Sequence, residues 1–476
     1  MVDFENGPLV RTPTSDASAR VHFVGISGIG MSALARILLA RGVTVSGSSD
    51  RRTTLTDALA AEGAQIAIGH AAGHCAGATS IVISTAIDDH NPELLDARER
   101  GVPILHRGAL LAQLMAQRRG IAVAGTHGKT TTTAMLACVL EGGGCDPTVV
   151  IGGERVDTKT NARDGAGVWF VSEADESDRS FLGLAPEIAI VTNIENDHIE
   201  SDADLPELIA AFETFVARVP AHGRLVIGTD EPRAAALAGT AHAATTTTFG
   251  FAEDADIRAA HPYYADFGST FDVLVRGVPA GTVVLDVPGA INIENALAAI
   301  AVGLELRVPF ETIASALAGF RGVRRRFEIL TRGDRMTVVD DYAHHPTAVE
   351  ATIAAARANF DGPIVVAFQP HRYTRTRYLG NDFARALRGA DRVVLTDIYA
   401  ASEAPIPGVD AKTIGVPLAR LGCEVAYAKV EDLEAEMLAH APQGALVLML
   451  GAGSITAAAA RLARAIEPRV APASAP

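Results

Sequence analysis

The sequence is poor in cysteine, in aromatic side chains and in positive charge, and it has no long apolar run. Its four cysteines, Cys75, Cys138, Cys145 and Cys423, are scattered through 476 residues with no CxxC pair and no histidine cluster at zinc spacing. That pattern argues against a disulfide framework and fits core-filling thiols in a reducing compartment. No uninterrupted apolar stretch approaches the roughly 20 residues that cross a bilayer. Residues 1–20 lack the basic start and apolar stretch of a signal peptide. The chain is therefore expected in the cytoplasm, with no membrane partner. Lys plus Arg total 41 against 56 Asp plus Glu, a formal net charge of −15. A surface that acidic repels phosphate backbones at long range, so nucleic acid is not expected as a partner. A small phosphorylated ligand needs only local positive charge and stays open.

Hydrophobic residues make up 48% and charged residues 20%, the balance of a packed globular protein. The length exceeds one ordinary core, so several domains are expected. Short apolar runs alternate with glycine- or proline-bearing loops and alanine-rich helical stretches, the rhythm of parallel α/β sheets. Strands are expected at 21–25, 43–46, 81–85, 121–124, 168–171, 188–192, 224–227, 336–340, 364–368, 392–395 and 446–450. Residues 257–287 alternate more and suggest an antiparallel annex. A polar basic patch at 115–120 and three arginines within 322–327 divide the chain into units 21–118, 119–325 and 326–466. Tails 1–20 and 467–476 flank them.

The segment 121–132 carries the strongest chemical signal. An apolar strand runs into Gly125-Thr126-His127-Gly128-Lys129-Thr130-Thr131 and then a helix. Glycines let the backbone wrap phosphate oxygens, and a helix N-terminus presents free N–H groups to the same anion. Lys129 is placed for the terminal phosphates and the Thr130 hydroxyl for Mg²⁺. The loop is shorter than the usual P-loop, because Val123 stands where GxxxxGK[ST] needs glycine. A triphosphate with Mg²⁺ calls for an acid on a later strand. Residues 172–178, Ser-Glu-Ala-Asp-Glu-Ser-Asp, supply several, and Glu173 is the metal ligand by position. The remaining acids need cations or donors among them, since crowded carboxylates repel. Past the next apolar run, His198 is placed for a second Mg²⁺ or for substrate.

The N-terminal loop Gly25-Ile26-Ser27-Gly28-Ile29-Gly30-Met31-Ser32-Ala33 contains GxGxxA, with Asp50 following. Such a loop binds a pyrophosphate at a helix N-terminus, whether of NAD or of a UDP-sugar. In the last unit, Asp341-Tyr342-Ala343-His344-His345-Pro346 and His371-Arg372-Tyr373-Thr374-Arg375-Thr376-Arg377 follow strands. Three histidines and three arginines form a local cationic site there, and arginine forks suit carboxylates.

Together these segments, with Asn292–Ala299, Arg325–Glu328 and Pro405–Val409, resemble the Mur ligases of bacterial peptidoglycan synthesis, over nearly the whole chain. The resemblance implies an α/β fold of three domains: a Rossmann-like N-terminal domain for a UDP-sugar, a P-loop-type central ATPase domain, and a Rossmann-like C-terminal domain that closes and binds the amino acid. It implies ATP and two Mg²⁺ ions, with Mn²⁺ as a substitute, and joining of L-alanine to UDP-N-acetylmuramate by a monomer or dimer. Gly125–Thr131 would then hold the ATP phosphates, with Asn292 and Asn295 at adenine, Asp341 at ribose and Arg326 nearby. Thr130, Glu173 and His198 would bind metal. Tyr342, His344, His371, Arg372 and Arg375 would form the amino-acid end, with His344 or His198 as base. Gly25, Ser27, Gly28, Gly30, Met31 and Ser32 would approach the UDP. Ile291 replaces the histidine usual in the adenine segment. Three other readings stay open: a ligase that reattaches a ready-made peptide to the same sugar nucleotide, an NAD-dependent oxidoreductase, and a regulatory ATPase switch.

Overall fold

Residues 19–195, 204–239 and 245–466 are described by a computed structural model. Three sheets follow one another along the chain. The first comprises β1 (Arg20–Val24), β2 (Thr44–Ser49), β3 (Gln65–Ile68), β4 (Ser80–Ile83) and β5 (Ile104–His106), ordered β3-β2-β1-β4-β5 and wholly parallel. Val21, Phe23 and Val24 are buried, as a strand covered by helices on both faces requires.

The second sheet has ten strands: β6 (Arg119–Ala124), β7 (Thr148–Val150), β8 (Ala162–Arg163), β9 (Trp169–Glu173), β10 (Ile188–Val191), β11 (Arg224–Gly228), β12 (Thr245–Gly250), β13 (Ile257–Ala265), β14 (Gly268–Val275) and β15 (Val278–Leu285). Its order is β15-β14-β13-β12-β11-β10-β6-β9-β7-β8. β6 pairs in parallel with β10 and β9 on either side, which puts the phosphate loop at the carboxyl end of a central strand, where open α/β sheets bind ligands. The expected antiparallel segment is present in β13–β15. It is no separate annex, because β13 pairs with β12 and so continues the central sheet. The helix Lys129–Gly142 buries Met135, Leu136 and Val139 in one core with Leu297 and Ile300 of the helix Ala290–Glu305.

The third sheet comprises β16 (Glu328–Arg332), β17 (Met336–Asp341), β18 (Ile364–Phe368), β19 (Arg392–Leu395), β20 (Glu424–Tyr427) and β21 (Ala445–Leu450), ordered β16-β17-β21-β18-β19-β20. All its pairs are parallel except β16 with β17. Among the described residues no helix is long and apolar enough to cross a membrane. Cys75 and Cys138 are buried as core thiols, whereas Cys145 and Cys423 are only partly covered.

A hairpin clasps the second sheet to the third. Asp266 and Phe267 turn between β13 and β14 with φ of 53° and 60°, left-handed backbone that costs a non-glycine residue about 1 kcal/mol or more. The Phe267 ring offsets that cost by packing near Phe327 and Phe360, at centroid distances of 6.0 and 6.3 Å, under the Arg332 guanidinium. Phe267→Ala should lower stability in urea unfolding by about 1–2 kcal/mol. Phe267→Gly loses the same ring but relieves the backbone, and should come out roughly 1 kcal/mol more stable than the alanine variant.

Candidate active site

The phosphate loop is held open from beneath. Gly128 has φ 84° and a side chain there would strike Asn295 Oδ1; Gly125 has φ 131° and would strike Thr192 Oγ1. The segment after β10 braces the loop: the His127 N–H donates to Asn193 Oδ1 at 2.8 Å, and Thr192 Oγ1 donates to the His127 carbonyl at 2.6 Å. Asn295 also accepts from Thr132 Oγ1 at 3.0 Å and donates to Asn292 Oδ1 at 3.2 Å. Of the two asparagines expected at adenine, Asn295 sits against the loop and Asn292 beside it, and Ile291 lines the same cleft.

Lys129 folds back across the loop. Its ammonium donates to the carbonyls of Gly125 and Thr126 at 2.7 and 3.1 Å and to Glu176 at 2.9 Å. Burial disfavours that charge, but Glu176, Asp175 and Glu173 outweigh it and raise the lysine above its ordinary range. Burial pushes Glu176 up to about 7 despite Lys129, with Asp175 adding to the rise. Asp175 is buried too, yet Lys129, Arg107 and the Ser177 hydrogen bonds bring it down to about 2. The acids thus do have cations among them, and one of those was not legible in sequence. Arg107, opening the helix Arg107–Met115 of the first unit, donates to Asp175 at 2.9 Å and Asp178 at 2.6 Å.

Glu173 ends β9 with its carboxylate accepting the Gly152 N–H and the Thr130 hydroxyl; burial raises it above the usual carboxylate range despite these bonds and Lys129. A hydroxyl and a carboxylate meeting at one point are hard oxygen donors, the set Mg²⁺ takes, so these residues fit the expected metal. His198 lies outside the described residues.

A cleft of about 790 Å³ joins the three units. Gly30 and Arg107 line it from the first, Thr126–Thr131, Glu173, Asn292 and Asn295 from the second, and Arg326, Asp341, Tyr342 and His344 from beyond. Arg326 reaches to 3.4 Å from Thr130 Oγ1 and lies 4.9 Å over the Tyr342 ring. Asp341, expected at ribose, accepts the Phe327 and Ala343 backbone N–H groups on its two oxygens, each at 2.7 Å; its first task is to brace that turn. His344 Nδ1 lies 2.8 Å from the Tyr342 carbonyl. That bond needs a proton on Nδ1, so the neutral ring keeps its lone pair on Nε2.

His371, Arg372 and Arg375 are not among the residues that line the cleft, and Arg372 is exposed. The His371 ring meets His344 edge-on at 5.5 Å and stacks on Tyr399 at 5.6 Å. Arg372, with φ 70°, caps the helix Tyr373–Leu387, which carries Arg375.

In the N-terminal loop, Met31 is 2% exposed and packs in the core. The Ser32 hydroxyl donates to the Ile29 carbonyl at 2.9 Å and accepts from Asn161 at 3.0 Å. Ser27 Oγ accepts from Ser49 Oγ at 2.8 Å. Asn161 further ties this loop to the central unit through the Ile29 carbonyl at 2.7 Å and the Arg36 guanidinium. Asp50, the acid spaced for a ribose, pairs with His70 at 3.0 Å.

Residues 20–119 match the Mur ligase family catalytic domain, 123–303 the Mur ligase middle domain, and 325–453 the Mur ligase glutamate ligase domain. A UDP-N-acetylmuramate–L-alanine ligase of Geobacter sp. (strain M21) is 46% identical over 440 residues, 92% of this chain and 95% of that one. The chain belongs to the Mur ligase family. Another relative, the UDP-N-acetylmuramate–L-alanine ligase of Acidithiobacillus ferrooxidans, is 46% identical over 453 residues, with 93% and 97% of the two chains covered. Among solved Mur ligases, the UDP-N-acetylmuramate-alanine ligase of Thermotoga maritima superposes with a TM-score of 0.81 at 32% identity, covering 94% of this chain and 98% of that one. A murein peptide ligase of Psychrobacter arcticus gives 0.71 at 25%, covering 95% and 100%. The three-domain α/β architecture is thus that of a Mur ligase.

Proposed function

We propose that the chain joins L-alanine to the lactyl carboxylate of UDP-N-acetylmuramate at the expense of ATP, an early step of peptidoglycan synthesis. The observation that carries this is the shared cleft. A phosphate loop with lysine, a hydroxyl–carboxylate pair and a histidine-bearing amino-acid end face one another across it. In this reading residues 21–118 hold the UDP-sugar, 119–325 the ATP, and 326–466 the amino acid.

A carboxylate does not accept an amine directly, because its oxygen is a poor leaving group. The carboxylate oxygen attacks the γ-phosphorus, the bond to the β-phosphate oxygen breaks, and ADP departs from an acyl phosphate. The neutral amine then attacks the acyl carbon, phosphate leaves and the amide remains. Lys129, released from Glu176, meets charge spreading over the transferred phosphoryl. Thr130 and Glu173 would hold Mg²⁺ and His198 a second ion, which when bound would supply neutralisation of phosphate charge; Mn²⁺ has compatible donor preferences and would substitute. Asn292, Asn295, Arg326 and Asp341 surround the nucleoside. Gly25, Ser27, Gly28, Gly30, Ser32 and the Met31 backbone approach the UDP. Arg372 and Arg375, at the start of the helix Tyr373–Leu387, orient the alanine carboxylate when the C-terminal domain closes. His344 Nε2 accepts the ammonium proton, with His198 the alternative base. In this reading the enzyme works in the cytoplasm, as a monomer or dimer.

The likeness to a murein peptide ligase favours one second reading, attachment of a ready-made peptide to the same sugar nucleotide. ADP release, measured with each substrate omitted in turn, separates the two. Turnover is expected with free L-alanine, at least about 100-fold faster than with a tripeptide. Equal or faster use of the tripeptide would reverse the assignment, and phosphate release indifferent to both would indicate an ATPase switch.

A further inference from the structure

Where the phosphate loop meets the third unit, three side chains from separate segments turn toward one point. His127 belongs to the loop, Glu195 to the segment after β10, and His345 to the start of the helix Pro346–Asn359. One donor atom of each lies within 4.8 Å of the other two. His127 Nε2 stands 3.6 Å from Glu195 Oε2, and that buried nitrogen makes no hydrogen bond among the described residues. The two imidazole centroids are 5.4 Å apart. The His127 side chain is 10% exposed and His345 is 6% exposed. The positions are braced: Glu195 N–H donates to Thr126 Oγ1 at 2.8 Å, and its carboxylate accepts from Thr347 Oγ1 at 2.6 Å.

Two imidazoles and a carboxylate suit a borderline-soft dication, whereas the hydroxyl–carboxylate pair of Thr130 and Glu173 suits Mg²⁺. We propose that His127, Glu195 and His345 form a Zn²⁺ site that ties the ATP loop to the C-terminal domain. With metal–ligand bonds of about 2.0–2.2 Å and tetrahedral angles, the donors would stand roughly 3.3–3.6 Å apart. Binding therefore draws the start of the Pro346–Asn359 helix toward the loop, and water completes the fourth position. The site is separate from the ligase reading, and its test uses no ligase substrate.

The test is a titration of the full chain with Co²⁺, the spectroscopic stand-in for Zn²⁺, without nucleotide. One Co²⁺ per chain is expected, with the visible absorption of a four-coordinate site, displaced by one equivalent of Zn²⁺ and insensitive to excess Mg²⁺. His345→Ala should lose that absorption and weaken Zn²⁺ binding, read by calorimetry, at least about tenfold. Glu173→Gln, which disables the oxygen site, should retain both. Melting curves recorded first establish that each variant is folded, and His127→Gln serves in place of His345→Ala should the latter not fold. Absence of the absorption in the wild-type chain would overturn the proposal. So would unchanged affinity in the histidine variant, or loss of the signal in Glu173→Gln, which would put the ion at the Mg²⁺ centre.

Discussion

Replacing Lys129 with alanine should lower kcat about a thousandfold or more while the protein remains folded. The phosphoryl group carries spread negative charge in its transition state, and fixed cations are the main catalytic resource for it. Lys129 is within the loop, 14% exposed, and already bonded to the Gly125 and Thr126 carbonyls. Near-normal ligation in this variant would remove the loop from the mechanism. The substitution also has a stability signature. In the native chain the ammonium lowers Glu176, whose carboxyl burial nonetheless holds at about 7 against an ordinary 4.5. Without the lysine that carboxyl rises further. A carboxyl raised on folding binds a proton as the chain folds, so its contribution is present below the unfolded value and is lost as pH climbs through the folded one. In the Lys129→Ala protein this contribution should therefore be complete below the ordinary 4.5 and be lost as pH climbs past about 7, over a wider range than in wild type. Urea unfolding across that range checks it.

Glu173→Gln should reduce kcat by roughly 100- to 1,000-fold, the scale of losing several kcal/mol of metal-assisted charge stabilisation. Glutamine keeps the shape and can still accept the Gly152 N–H, so the fold should persist. What goes is the negative oxygen beside Thr130. The loss should be partly relieved by raising Mg²⁺ or Mn²⁺, since a weakened metal site saturates at higher concentration. A rate independent of the metal in both proteins would show that Glu173 serves only to brace Gly152.

Much of this architecture was legible because it is local. Buried parallel strands such as β18, all of whose residues are buried, read as continuous apolar runs, and a glycine-lysine-threonine turn between strand and helix lies within a dozen residues. The strands that escaped detection are short or polar. β12 begins with four threonines, while β16 and β20 have none of their residues fully buried. In the site, what stayed hidden depends on distance along the chain. Arg107 meets Asp175 and Asp178 across 68 and 71 residues, and Asn161 closes on Ile29 across 132; no spacing rule joins such pairs. The pairing of Lys129 with Glu176 spans 47 residues. Crowded acids demanded cations, but not which ones.

The order of the central sheet bears on how the protein emerges from the ribosome. β6 is made first of its ten strands yet lies inside the sheet, with β9 and β10 on its flanks. The loop it carries is finished only when Asn295 arrives beside Gly128, after the last strand of the sheet has been made. A nascent chain halted before residue 289 would hold the whole Gly-Lys-Thr turn and still lack its floor. The loop can therefore take its finished shape only after all ten strands of its unit have been made.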